Sequence, residues 1–224
     1  MTPQAPLPAL LSTVPVIPVL RIDDPQRGVE AARALLAGGL SVLEVTLRTP
    51  RALEVVRAIR GAHPEAVVAA GTILDGTDVR RAVEAGAQLL FSPVTEEALS
   101  AAASSMDCPL VPGVCTPTEM ASAWARGHRL LKFFPAAASG GPDVLTAVRG
   151  PLPQLRFCPT GGISLVSMAS YLALENVRCV GGSWLVRAAD LEAQDWAGIE
   201  AKAEAAIEAA VAAGWRPDAG GSTS

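Results

Sequence analysis

Short blocks of continuously apolar or β-branched residues alternate along this chain with longer stretches in which apolar residues recur every three or four positions. The short blocks have the length of strands and the longer stretches have the period of helices. Eight blocks of the first kind stand out: 14–20 (VPVIPVL), 41–47 (SVLEVTL), 66–71 (AVVAAG), 88–92 (QLLFS), 108–112 (CPLVP), 129–134 (RLLKFF), 155–159 (LRFCP) and 177–181 (VRCVG). Segments such as PRALEVVRAIRGA and DGTDVRRAVEAGA fill the intervals. Helix starts are marked after the strands. Asp24-Pro25 and Thr49-Pro50 each offer a capping side chain followed by proline at the first helical position. Thr116-Pro117-Thr118-Glu119 adds the reciprocal glutamate of a capping box. Glycines at 38–39, 86 and 127 stand where those helices should end.

Eight βα units in one chain predict a single-domain α/β fold, a (β/α)8 (TIM) barrel over residues 14–213. An N-terminal extension (1–13) would precede it and a flexible C-terminal tail (214–224) would follow. The competing architecture is an open doubly wound sheet. It is disfavoured because no G-x-G-x-x-G follows the first strand.

The chain has 224 residues, half of them apolar, and a formal charge of −4. That size fills one core, and the abundance of Ala, Val, Leu and Gly suits parallel strands covered by helices. The negative balance gives no case for nucleic acid or an anionic membrane, so any bound anion must be held by local geometry. No apolar run approaches the ~20 residues that span a bilayer, and the proline-broken start does not read as a signal peptide. Cys108, Cys115, Cys158 and Cys179 lie in or near strand blocks and are expected as reduced thiols of a cytoplasmic protein. With only His63 and His128, neither near a second plausible ligand, no metal site and no Ser-His-Asp triad are expected, and no cofactor is called for.

Lys132 sits inside RLLKFFPAA, where an ammonium is costly unless it is paired or gives up its proton. Strand parity supplies partners. In SVLEVTLR, Leu43, Val45 and Leu47 share one side, and Glu44, Thr46 and Arg48 share the other. The parity of Val68 and Ala70 ends in Thr72, and that of Leu130 carries Lys132 and Phe134. If these parities face the barrel interior, Glu44, Arg48, Thr72 and Lys132 converge near the C-terminal strand ends, where such barrels place catalysis. At ~3.3 Å per residue, Glu44 and Arg48 are roughly 13 Å apart along a strand, so Arg48 must reach back from the mouth. The blander readings are a lysine that snorkels to solvent and a Glu44 that merely neutralises it.

A neutral amine attacks a carbonyl carbon, and the resulting iminium is an electron sink that lets a carbon–carbon bond two atoms away break. Glu44 is the inward carboxylate available to move protons. Arg48 could grip a carboxylate, with Thr72 adding a hydroxyl. At the ends of strands 7 and 8, CPTGGIS (158–164) and CVGGSWL (179–185) carry paired glycines, whose backbone N–H groups can approach an anion. Loops after these two strands are the usual phosphate site of such barrels. The substrate expected is a small molecule with a carboxylate, a carbonyl and a phosphate.

EVTLRT, AAGT, FSP, PLVPGV, KFFPA, PTGGIS and GGSW occur in an order and at spacings that resemble the bacterial 2-keto-3-deoxy-6-phosphogluconate (KDPG) aldolases, class I enzymes of the Entner–Doudoroff pathway often also active on 4-hydroxy-2-oxoglutarate. The likeness runs from about residue 14 to 190. It implies that Lys132 forms the Schiff base with pyruvate and that Glu44 is the general acid/base. Arg48 and Thr72 would hold the carboxylate, with Pro93 and Phe134 shaping the pocket. Thr160, Gly161, Gly162, Gly181, Gly182 and Ser183 would line the phosphate side. It also implies a homotrimer. Ala137 departs from the pattern, which has an acidic residue there. Within the same chemistry the runner-up substrates are 4-hydroxy-2-oxoglutarate and the galactonate epimer. A sugar-phosphate isomerase or epimerase would have no use for a lysine in LLKFFP. A non-catalytic phosphate-binding barrel would leave Glu44 and Lys132 as a costly pair without a task.

Overall fold

The computed structural model describes residue 11 and residues 13–217. Most of the predicted extension (1–10 and 12) and residues 218–224 of the predicted tail lie outside the described residues.

Every predicted strand block contains a strand, and all of the pairings are parallel. In chain order these are β1 (Val16–Leu20), β2 (Val42–Thr46), β3 (Val67–Gly71), β4 (Leu89–Phe91), β5 (Leu110–Val111), β6 (Gly113–Val114), β7 (Leu130–Phe133), β8 (Arg156–Pro159) and β9 (Val180–Gly182). Hydrogen bonding gives one sheet ordered β5-β4-β3-β2-β1-β9 and another ordered β6-β7-β8. Two parallel bridges, Phe157 to Val177 and Thr160 to Gly181, join β8 to the β9 segment. The fifth strand block is split. Pro112 has no N–H for the ladder, so β5 pairs with β4 while β6, beyond the proline, pairs with β7. The two halves carry the barrel round and close it at eight strand positions.

Helices cover the outside: α1 (Pro25–Ala37), α2 (Ala52–Ala62), α3 (Gly76–Glu84), α4 (Glu97–Ser105), α5 (Pro117–Ala125), α6 (Gly141–Val148), α7 (Met168–Leu172), α8 (Ala188–Ala193) and α9 (Trp196–Ala212). Asp24 caps α1 by accepting from the N–H groups of Gln26 and Arg27 at 2.8 and 3.1 Å. Thr116 and Glu119 form the capping box of α5. Thr49 is not a cap. Helix α2 starts at Ala52, and the Thr49 hydroxyl instead donates to Ile22 O at 2.8 Å, tying the β2–α2 loop to the end of β1.

The strands and the inner faces of the helices form one continuous apolar core in which Leu11 and Val14 are also buried. The sequence boundary at 213 falls short of the packed chain. Trp215 leans on that core and donates its indole N–H to Arg178 O at 3.1 Å. Among the described residues no helix is long and apolar enough to cross a membrane.

Candidate active site

The barrel interior is apolar apart from a few groups near the C-terminal strand ends. Lys132 on β7 and Glu44 on β2 approach from opposite walls. Lys132 Nζ donates to Glu44 Oε1 at 2.9 Å and Oε2 at 3.3 Å. Both residues are buried, with 5% and 1% of their surface exposed. The aromatic rings of Phe91 and Phe134 flank the ammonium, their centroids 5.4 and 5.7 Å from Nζ. Their faces attract the cation but give it no hydrogen bond. The ammonium therefore has a carboxylate on one side and rings around it, and the snorkelling geometry is ruled out.

Glu44 can lie where it does because β3 ends in glycine. A Cβ at Gly71 would stand 2.0 Å from Glu44 Oε1 and 2.7 Å from its Cδ and Cγ. The register pairs Glu44 with Ala69 and Thr46 with Gly71, so the Glu44 side chain leans along the strand direction into space that a larger residue would fill.

Arg48 follows β2 and turns back as the sequence geometry requires. Its N–H donates to Thr46 O at 2.7 Å, and its Nε donates to Thr46 Oγ1 at 3.3 Å. The Thr46 hydroxyl in turn donates to Leu20 O at 2.8 Å. This relay fixes an otherwise exposed guanidinium at the mouth. Thr72 reaches the site by a different route from the one parity suggests. β3 ends at Gly71 and Thr72 has φ +63°, a left-handed backbone that a β-branched residue rarely adopts. Its direction comes from that turn and not from the strand alternation.

A cavity of about 230 Å³ gathers Glu44, Arg48, Thr72, Pro93, Lys132, Phe134 and Thr160. It continues into a second cavity of about 130 Å³ lined by Phe134, Thr160, Gly161, Gly162, Gly181, Ser183 and Arg48. Gly161 and Gly162 hold φ values of +102° and +73°, so the loop after β8 makes a turn suited to glycine. Gly182 is the exception among the expected residues. It packs under the Trp184 indole and lines neither cavity. Ala137 stands on the rim against Gly162.

Val19 and Thr46 line the cavity without having been singled out, and Phe91 and Gly71 shape it. Thr46 shares the parity of Glu44, which was a usable signal, whereas Val19 looks like any other strand residue. No group of three or more metal-ligating side chains occurs among the described residues. A buried amine beside a buried carboxylate, at the base of a cavity with a guanidinium and glycine-rich turns at its mouth, can add to a carbonyl, exchange protons over about 3 Å and hold anions at both ends of a ligand.

Known proteins resemble this chain over nearly its whole length. The family model for KDPG and KHG aldolases matches residues 7–202. The KHG/KDPG aldolase of Escherichia coli (strain K12) is 47% identical over 202 residues, covering 90% of this chain and 95% of the relative. The 2-dehydro-3-deoxy-phosphogluconate aldolase of Dickeya dadantii (strain 3937) is 46% identical over 203 residues, covering 91% and 95%. Among solved structures, a KDPG aldolase from Legionella pneumophila, with pyruvate captured as a covalent carbinolamine intermediate, superposes with a TM-score of 0.88. It is 38% identical to this chain, and the match covers 91% of this chain and 99% of that one.

Proposed function

The chain belongs to the KDPG and KHG aldolase family, and from that premise we propose that it is a class I aldolase cleaving 2-dehydro-3-deoxy-6-phosphogluconate to pyruvate and glyceraldehyde 3-phosphate. The observation that carries this reading is the buried Lys132–Glu44 contact at the base of a cavity whose other end is built from glycine-rich turns.

Each step has a group within reach. Glu44 takes a proton from Lys132, and the neutral amine adds to C2 of the substrate to form a carbinolamine. Protonation of its hydroxyl by Glu44 expels water and leaves the iminium. Glu44, again ionised, removes the proton of the C4 hydroxyl. The C3–C4 bond breaks, its electrons pass to the iminium to give an enamine, and the aldehyde departs. Protonation at C3 and hydrolysis release pyruvate and restore the amine. Arg48 and Thr72 hold the carboxylate through this sequence, with Pro93 and Phe134 as walls. Thr160, Gly161, Gly162, Gly181 and Ser183 receive the phosphate end, where the N–H groups of the turns can donate to it.

The name of the Escherichia coli relative supports a second substrate, 4-hydroxy-2-oxoglutarate, on the same machinery. Pyruvate release measured side by side from the phosphogluconate-derived acid, its galacto epimer and 4-hydroxy-2-oxoglutarate tests the assignment. The first should give the highest kcat/KM, and a higher value for either of the others overturns it. We also infer a cytoplasmic homotrimer. Leu74 and Val94, 53% and 37% exposed on the adjacent loops after β3 and β4, offer apolar surface for an assembly. Light scattering at a monomer mass would refute this.

A further inference from the structure

Beyond the glycine turns the site opens into a vestibule of about 700 Å³ whose charged lining is Arg21, Arg48, Arg187 and Asp23. Asp23 accepts from the backbone N–H of Arg51 at 3.0 Å and keeps its charge. Three guanidiniums against one carboxylate leave this opening positive in a protein whose formal charge is −4. Ser183 lines both this vestibule and the glycine-lined cavity, so the two are continuous.

Arg187 is held in a particular way. Its backbone N–H donates to Asp190 Oδ2 at 2.9 Å, while its guanidinium lies 3.4 Å from Asp190 Oδ1 and leaves most of its surface exposed. Asp190 is itself buried and receives Lys202 Nζ from α9. One carboxylate therefore serves two cations, and the group as a whole remains positive. Burial pushes the Asp190 carboxyl up, but hydrogen bonds from Lys202 and Arg187 outweigh it and hold it at about 2, so the anchor stays ionised at neutral pH.

An exposed guanidinium in wet surroundings is a poor tight clamp, because solvent screens it. Several of one sign around a concave mouth do something else: they concentrate counter-ions and raise capture rates by ~10–10³. We propose that Arg187, with Arg21, makes this vestibule a capture site that selects phosphorylated 2-keto acids over their unphosphorylated counterparts before the anion reaches the glycine turns. The proposal rests on the aldolase reading above. A phosphate adds about −1.5 to −2 of charge near neutral pH, so the field acts far more strongly on the phosphorylated acid.

The test is the ratio of kcat/KM for 2-dehydro-3-deoxy-6-phosphogluconate to that for the unphosphorylated 2-dehydro-3-deoxygluconate. It is measured from low to high ionic strength in the wild type, R187Q, R187K and R21Q/R187Q. At low salt the ratio should fall about tenfold in R21Q/R187Q, with the loss carried by KM. It should fall less in R187Q and be largely kept in R187K. In the wild type, added salt should lower the ratio toward that of the double variant. An unchanged ratio, an equal loss on both acids or a ratio indifferent to salt would overturn the proposal. Failure of the wild type to cleave either acid would instead remove the aldolase reading on which it stands.

Discussion

Replacing Gly71 with alanine should disable the enzyme through Glu44 alone. The position has no left-handed φ, so alanine meets no backbone penalty there. The obstacle is the Glu44 carboxylate, whose Oε1 would lie 2.0 Å from the new methyl carbon, with Cδ and Cγ at 2.7 Å. A tolerable contact needs about 3 Å or more, so Oε1 must retreat by roughly 1 Å. Glu44 is only 1% exposed and cannot move into solvent, so the retreat disturbs its 2.9 Å contact with Lys132. A misplacement of about 1 Å costs on the order of 10²-fold in rate, within the ~10²–10⁴-fold that a positioned acid–base group supplies. Continuous measurement of pyruvate release, with lactate dehydrogenase and NADH, should therefore show kcat down about 100-fold in G71A, with no change in the charged groups of the site. A G71A enzyme within about threefold of wild-type kcat would refute the idea that the place of Glu44, held open by this glycine, controls the chemistry.

Three further outcomes can be checked on the purified protein. Lys132→Met leaves the Glu44 carboxylate buried without its partner and should cost about 3–5 kcal/mol in urea unfolding, whereas E44L/K132M should recover most of that loss; equal destabilisation of both would contradict it. Asp190 titrates near 2 in the folded protein, below its ordinary 3.8. Its stabilisation is therefore present above about pH 4 and lost as the pH falls toward 2, so the gap in Tm between wild type and D190N should be wide at pH 6 and shrink over that window. A gap independent of pH would refute the assignment. Of the four free cysteines only Cys115 is more than slightly exposed, and burial pushes the Cys108 thiol up to about 11. Iodoacetamide at pH 8 should therefore label Cys115 alone in the folded protein and all four thiols in denaturant, and rapid native labelling of a second would contradict the burial.

The features readable from sequence were those governed by periodicity and by the cost of burying charge. Lys132 in LLKFF and Glu44 in VLEVT stand out because each is the one ionisable residue in its block, and 88 residues of separation do not hide the pairing. Positions fixed by backbone detail were harder to read. Thr72 was expected in the site on strand alternation, yet its left-handed backbone is what turns it there. Pro112 was read as the end of a strand, while the strand resumes after it as β6 because the proline interrupts only one partner's ladder. Thr49 looked like a cap, but its hydroxyl is spent on Ile22 O. The Arg187–Asp190–Lys202 group depends on two helices meeting beyond the last strand, and nothing in local sequence signals that.

The central claim is that Lys132 is the nucleophile. Incubating the folded protein with pyruvate and sodium borohydride, then digesting it and sequencing the modified peptide by mass spectrometry, tests it most directly. The account predicts a reduced pyruvate adduct on Lys132, formed together with loss of activity and absent without pyruvate. No adduct, or one on Lys202, the only other lysine in the chain, would contradict it.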